Sequence, residues 1–194
     1  RRTGERRALK RPVVGGDFIT PGFPGGAVTT PEEVDKAVPK PEESDESDGS
    51  GRYAREELGK ELGEDQGKGQ GKGDIASALL QGAGSRLFPI VMVMSPFWNC
   101  FKLWDYEELL FRSAETPELV RYACDRYAKV SGERIRRAAA MGAGGVWVEE
   151  GLTDLLHPDS FLSLSLPYIR ALFDEARDLG LKSVYYYTGN PKGK

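Results

Sequence analysis

Two adjacent carboxylates, Glu149 and Glu150, are the residues whose type and position most favour chemistry. They end an apolar segment, residues 145–150 (GVWVEE), that is typical of a buried strand. Neighbouring side chains on a strand point to opposite sides, so one carboxylate is expected to face a ligand and the other the layer behind it. A carboxylate there can orient an amine or pyrrole N–H, or transfer a proton. The alternative is a solvated acidic strand end.

A single histidine and a group of aromatic residues are the next candidates. His157 is the only histidine and precedes Pro158, where a helix is expected to begin. This position favours a helix-cap role over general acid–base catalysis. Trp98, Phe101 and Trp104 follow the first predicted strand, where they either wall a pocket for a flat ligand or pack at its rim.

Composition excludes several classes of function. The chain has 194 residues and a formal net charge of −3, so no basic excess favours nucleic acid. Its two cysteines, Cys100 and Cys124, form no CxxC motif and predict no disulfide framework, which favours a reducing cytoplasm. No apolar run reaches about 18 residues, so no membrane span is expected. The basic N-terminal segment lacks the apolar stretch of a secretory signal.

The sequence predicts two unlike regions. Residues 1–85 are expected to be a loop-rich, partly disordered N-terminal region with short helices, one of them opened by a capping box at Thr30. Within this region, the acidic segment 39–51 and the Gly/Lys run 67–73 bury too little apolar surface to offset the entropy of ordering them. Residues 86–194 are instead predicted to form the folded α/β region.

Strands and helices alternate in the second region. Pro167 is expected to split the last helix, and Gly180 to end it. This alternation predicts parallel strand pairing, which both a doubly wound sheet and an eight-stranded barrel satisfy. The predicted strands are 87–94, 145–150 and 183–188, and the predicted helices begin at residues 105, 116 and 157.

Several segments, in this order, resemble the uroporphyrinogen decarboxylase superfamily, which also holds corrinoid-dependent methyltransferases. They are 89–97 (PIVMVMSPF), 107–120 (EELLFRSAETPELV), 141–150 (MGAGGVWVEE), 157–170 (HPDSFLSLSLPYIR) and, less closely, 178–190. The resemblance implies a (β/α)8 barrel, a fold that usually needs about 250 residues. Residues 86–194 are therefore expected to form a partial TIM (β/α)8 barrel with parallel strands and helical crossovers.

The resemblance also implies residue roles. The family often has an acidic residue at the position of Glu150, which is therefore the expected catalytic residue in the pocket. Substrate-binding roles are expected for Glu149, Trp98, Tyr186 and Thr188. By position, Tyr186 and Thr188 replace the His and Cys that bind zinc in the methyltransferases. Phenol and hydroxyl are poor zinc ligands, so neither a metal nor a cofactor is expected.

The function implied first is decarboxylation of tetrapyrrole acetate side chains. Methyl transfer from a cobamide to a thiol is the alternative, and a truncated, non-catalytic homologue is the third reading. The expected partner is a tetrapyrrole or corrinoid-type small molecule, not nucleic acid or a membrane. A dimer or a missing C-terminal half are the two expected ways to complete the barrel.

Overall fold

A computed structural model describes residues 28–41, 87–151 and 153–187 of the chain. Several predictions lie outside the described residues. They concern the basic N-terminal segment, most of the acidic segment 39–51, the Gly/Lys run 67–73 and Thr188.

Strands and helices alternate through the described part of the chain. The helices are α1 (Pro31–Ala37), α2 (Pro96–Asn99), α3 (Phe101–Glu115), α4 (Pro117–Ala140), α5 (Pro158–Leu164) and α6 (Leu166–Asp178). The strands are β1 (Ile90–Met94), β2 (Gly145–Glu150) and β3 (Lys182–Tyr187), and a short 3-10 turn covers Thr153–Leu155.

The three strands form one parallel sheet in the order β1-β2-β3. Met94 pairs with Glu149, and Glu149 pairs in turn with Tyr186. The prediction of an α/β fold with parallel strands and helical crossovers is confirmed. Because the strands are parallel, their carboxyl ends meet at one edge of the sheet.

Helices α4 and α6 cover one face of this sheet. Val93, Val146 and Val148 are fully buried on that face, where they pack with Ile135 of α4 and Leu172 of α6. We call this the helix-covered face. Burying each of these side chains stabilises the fold by about 2 kcal/mol, so this layer fixes which side of each strand points inward.

In the described part of the chain, the opposite face of the sheet has no comparable cover. We call this the open face. On β1, Ile90 and Met92 are 45% and 44% exposed, whereas Val93 on the other face is fully buried. On β3 the two faces do not differ in exposure, with Tyr186 at 40% and Tyr185 at 39%. By strand alternation and register, the side chains of the open face are Ile90, Met92, Met94, Trp147, Glu149, Lys182, Val184 and Tyr186.

Several helix boundaries follow the predicted signals. Thr30 and Glu33 form the capping box of α1. The last helical stretch breaks at Ser165, two residues before Pro167, and yields α5 and α6. Gly180 follows α6 with a φ of 76°, a conformation that favours glycine.

The start of α4 corrects one detail of the prediction. Thr116 occupies its N-cap, as expected, but its side chain makes no capping hydrogen bond. The hydroxyl instead donates to the Arg112 carbonyl of the preceding helix at 3.5 Å. Pro117 still begins the helix, since its fixed φ suits the first turn.

None of the helices in the described ranges combines the length and apolar character that crossing a membrane requires.

Candidate functional site

The two adjacent carboxylates of β2 lie on opposite faces of the sheet. Glu150 alternates in phase with Val146 and Val148, and it is fully buried on the helix-covered face. The valines fix the facing of β2 and point to the helices, so Glu150 points the same way; its catalytic role in a pocket stays a prediction. Glu149 points to the open face.

Glu150 connects three elements behind the strand end. Its Oε2 accepts a hydrogen bond from the Ser165 hydroxyl, at the break between α5 and α6, at 2.5 Å. The carboxyl group is also hydrogen-bonded by the Ser95 side chain and the Gly151 backbone. Burial raises the pKa of Glu150 from 4.5 to about 7, and these hydrogen bonds oppose the shift only in part.

Ser95 extends this network toward the aromatic residues. Its hydroxyl accepts a hydrogen bond from the backbone N–H of Trp98 at 2.9 Å, as the N-cap of α2. Its own backbone N–H donates to the Glu149 carbonyl at 2.9 Å. Glu150 therefore acts on the orientation of α2 through Ser95, which makes it a positioning group in this geometry.

Three aromatic rings gather at the carboxyl edge of the sheet. Trp98 stacks with Tyr106 at a centroid distance of 5.4 Å and lies 5.1 Å from Phe101, while Phe101 and Tyr106 are 5.2 Å apart. We call these three residues the aromatic cluster. Such offset ring pairs stabilise each other beyond their buried area and present flat surfaces to a ligand.

Trp104 is not part of this cluster, although the sequence grouped it with Trp98 and Phe101. Its side chain is fully buried, and its indole N–H donates to the Val28 carbonyl at 2.7 Å. Trp104 therefore connects the segment that precedes α1 to the helices. Tyr106, which the sequence analysis did not single out, takes its place.

A close approach between Gly151 and Trp98 fixes the cluster against β2. A Cβ atom at residue 151 would lie 2.5 Å from two carbon atoms of the Trp98 ring. No real side chain tolerates that distance, so the indole lies against the backbone just after β2.

Strained backbone positions Tyr106. Asp105 interrupts α3 with a φ of 58° and a ψ of −176°, a conformation normally reserved for glycine. Its side-chain oxygen accepts from the Glu108 N–H at 3.1 Å and caps the second half of the helix. The kink lies between the buried Trp104 and the cluster residue Tyr106.

Glu149 is the carboxylate that faces the aromatic cluster. The pKa of the Tyr106 phenol is raised, first by burial and then by the charge of Glu149. Glu149 also neighbours Met94 and Tyr186 across the sheet. In the described part of the chain, no hydrogen bond or ion pair engages the Glu149 carboxylate.

The tyrosines of β3 divide between the two faces. Tyr186 lies on the open face and packs against Trp147 at a centroid distance of 4.8 Å. Tyr185 contacts Phe173 of α6 on the other face, edge to face at 6.1 Å. Only Tyr186 therefore shares a surface with Glu149. Thr188 lies outside the described residues, and its substrate-binding role stays a prediction.

His157 makes its side-chain contacts at the start of a helix. It is the N-cap of α5, where its Nδ1 accepts from the Asp159 N–H at 3.3 Å. The predicted helix-cap position is confirmed. Among the described residues, no three His, Cys, Asp or Glu side chains are grouped as metal ligands would be.

Sequence reasoning missed three features of the site. Tyr106 lies within a predicted helix, and the kink at Asp105 directs its ring toward Trp98. Ser95 and Ser165 meet at Glu150 although 70 positions separate them, and no local pattern predicts that contact. Glu150 itself carried a signal, because its alternation in phase with Val146 and Val148 places it with buried residues.

A parallel α/β sheet with a carboxylate and aromatic rings at its carboxyl edge is the arrangement of a ligand-binding α/β protein. Comparison with protein families makes this specific. Residues 63–193 match the model of uroporphyrinogen decarboxylase (URO-D). The chain therefore belongs to the uroporphyrinogen decarboxylase family, as the sequence resemblance indicated. A comparison with curated proteins found no match.

Proposed function

We propose that this chain acts on a tetrapyrrole by the chemistry of the uroporphyrinogen decarboxylases, which is the removal of acetate carboxyl groups as carbon dioxide. The observation that carries this proposal is the Glu149 carboxylate on the open face, beside the aromatic cluster and without a protein partner in the described residues. The open face would line the interior of a partial (β/α)8 barrel. The carboxyl ends of its strands would then lie at the end of the barrel where such proteins bind their ligands.

The aromatic cluster and Tyr186 suit a flat ring system. Trp98 and Tyr106 offer ring faces at the strand ends, and Tyr106 is 45% exposed. Tyr186 on β3 adds a phenol group, and it pairs with Glu149 of the neighbouring strand β2 in the register of the sheet. Pyrrole rings stack on such surfaces, and a nearby carboxylate accepts hydrogen bonds from pyrrole N–H groups.

The reaction needs stabilisation of a positive charge on the ring. A pyrrole carbon takes up a proton, the C–C bond to the carboxylate breaks, and its electron pair flows into the cationic ring as carbon dioxide leaves. A second proton then converts the exocyclic methylene to a methyl group, and the ring carbon releases the first proton to restore the aromatic pyrrole. Glu149 would stabilise the cationic pyrrole electrostatically, and this contribution grows in the transition state.

In this proposal, Glu150 lies behind the reacting groups. Its catalytic role stays a prediction, but the contact that supports it runs through Ser95 to the helix that carries Trp98. Its carboxyl group would hold the cluster in place while Glu149 meets the substrate. This division gives two adjacent carboxylates separate tasks.

The test is anaerobic incubation of the chain with uroporphyrinogen, followed by chromatographic separation of the oxidised porphyrins by carboxyl number. We expect stepwise loss of carboxyl groups, with a Glu149→Gln variant at least about 100-fold slower because it loses the charge that stabilises the transition state. Glu118→Gln, on the exposed first turn of α4, is the matched control and should keep the wild-type rate.

Two outcomes would reject the proposal. One is a porphyrin pool that stays fully carboxylated in the presence of folded chain. The other is thiol methylation from methylcobalamin by the same preparation, which would assign the chain to the methyltransferase branch instead.

A further inference from the structure

The two cysteines of the chain meet in the core. Cys100 lies between α2 and α3, and Cys124 lies in α4, and their sulfur atoms are 3.6 Å apart. Both thiols are free and fully buried. Local sequence patterns do not indicate this contact, because 24 positions separate the residues and neither lies in a paired motif.

The hydrogen bonds of the thiols favour an approach between the sulfur atoms. The Cys100 S–H can donate to the Pro96 carbonyl at 3.3 Å, and the Cys124 S–H can donate to the Leu164 carbonyl at 3.6 Å. With both protons directed at carbonyls, lone pairs of the two sulfurs face each other. A disulfide needs a separation of about 2.05 Å, a shortening that side-chain rotation and a small shift of α2 can supply.

We propose that Cys100 and Cys124 form an oxidation site, at which hydrogen peroxide converts the buried dithiol to an intramolecular disulfide. One thiolate attacks a peroxide oxygen, and the O–O bond breaks to release hydroxide and leave a sulfenic acid. The second sulfur attacks the sulfenic sulfur, the S–O bond breaks, and the departing oxygen leaves as water. In total, two thiols and one peroxide give one disulfide and two waters.

Burial sets the speed of this reaction. The pKa of Cys124 is raised, first by desolvation and then by its contact with Cys100, so little thiolate exists in the closed fold. Oxidation therefore passes through local opening of the short α2 segment, and the disulfide forms when the segment closes again. Once one sulfur is oxidised, the neighbour at contact distance captures it before further oxidation.

The site is linked to the aromatic cluster by the chain itself. Cys100 lies two residues after Trp98 and directly before Phe101. A bond to α4 would draw Cys100 toward that helix and shift both rings relative to Tyr106. The inference does not depend on the proposed tetrapyrrole activity, since it rests on thiol geometry alone.

The experiment treats the full native chain with hydrogen peroxide, removes the oxidant, unfolds the chain in an alkylating reagent and measures the mass. We expect a monomer that has lost two hydrogen atoms and takes up no alkyl group, with both alkylation sites restored by dithiothreitol. A peptide that joins residues 100 and 124 should appear after proteolysis. The fluorescence of the oxidised chain should also change, because Trp98 is displaced.

Matched variants keep the result interpretable. Cys100→Ala and Cys124→Ala each retain one thiol and should form no monomeric species that lacks two hydrogens. Three results on the treated wild type would each overturn the proposal. They are two thiols that both still take up the alkylating reagent, sulfinic acid as the main product, and a disulfide-linked dimer. The same peroxide dose on the unfolded wild type confirms that the reagent oxidises these thiols.

Discussion

The two faces of the sheet use the same three strands for opposite purposes. On the helix-covered face, Val93, Val146 and Val148 are fully buried against α4 and α6. On the open face, Ile90 and Met92 of β1 are 45% and 44% exposed. Adjacent residues of one strand therefore meet very different surroundings.

Glu149 and Glu150 show what this difference does to one functional group. Glu150 is enclosed, hydrogen-bonded by two serines and raised in pKa to about 7. Glu149 faces the aromatic cluster on the open face. The side of the strand, rather than the residue type, decides how deeply each carboxylate is enclosed and which groups it meets.

The largest expected effect tests the facing of the strands. Val148→Asp would place an unpaired charge in the helix-covered core and lower the free energy of unfolding by about 4 kcal/mol or more. Val184→Asp, on the open face, should cost about 1 kcal/mol, because water still reaches the new carboxylate. Urea denaturation of both variants measures the contrast, and equal losses would contradict it.

The second effect concerns Glu150 and pH. Between pH 4.5 and about 7, the folded chain holds a proton on Glu150 that the unfolded chain has released. Stability therefore falls as the pH rises through this window, by about 3 kcal/mol in total. Denaturant unfolding from pH 4 to 8 measures this slope.

Two substitutions sharpen this pH test. Glu150→Gln should remove this part of the slope, since an amide resembles the protonated carboxyl group and does not titrate. Glu149→Gln is the neighbouring control and should keep it. A Glu150→Gln variant with the full wild-type slope would show that another group is responsible.

A smaller effect joins the strand end to the aromatic cluster. Gly151→Ala would push its new Cβ into the Trp98 ring and destabilise the fold by about 2 kcal/mol. In a Trp98→Ala background the same change should be nearly neutral, because the space is vacant. A double-mutant cycle by denaturation measures this coupling, and simple additivity would remove the contact from the account.

The sequence predicted the layout of the sheet better than the composition of the site. Val146 and Val148 marked β2, and Pro167 marked the break before α6, because periodicity and proline act locally. The aromatic cluster depends on the strained backbone at Asp105, which no local sequence pattern predicts. The Glu150 network and the Cys100–Cys124 contact join residues far apart in the chain, and local rules carry no information about such pairs.

The sequence already contained the signal for the facing of Glu150. The family resemblance favours a pocket role for this residue, whereas Val146 and Val148 in phase with it indicate the helix-covered face. When a resemblance and an alternation pattern disagree, burial of the apolar neighbours decides the facing of the strand.

Thiol labelling of single-cysteine substitutions tests the facing of the strands most directly. Met92→Cys and Glu149→Cys on the open face should react with a maleimide in the folded chain at rates near that of an exposed thiol. Val93→Cys and Val148→Cys should react at least about 100-fold more slowly, since labelling requires unfolding of the helix-covered face. Equal rates for the four positions, or faster labelling at residues 93 and 148, would contradict the assignment of Glu149 to the ligand side.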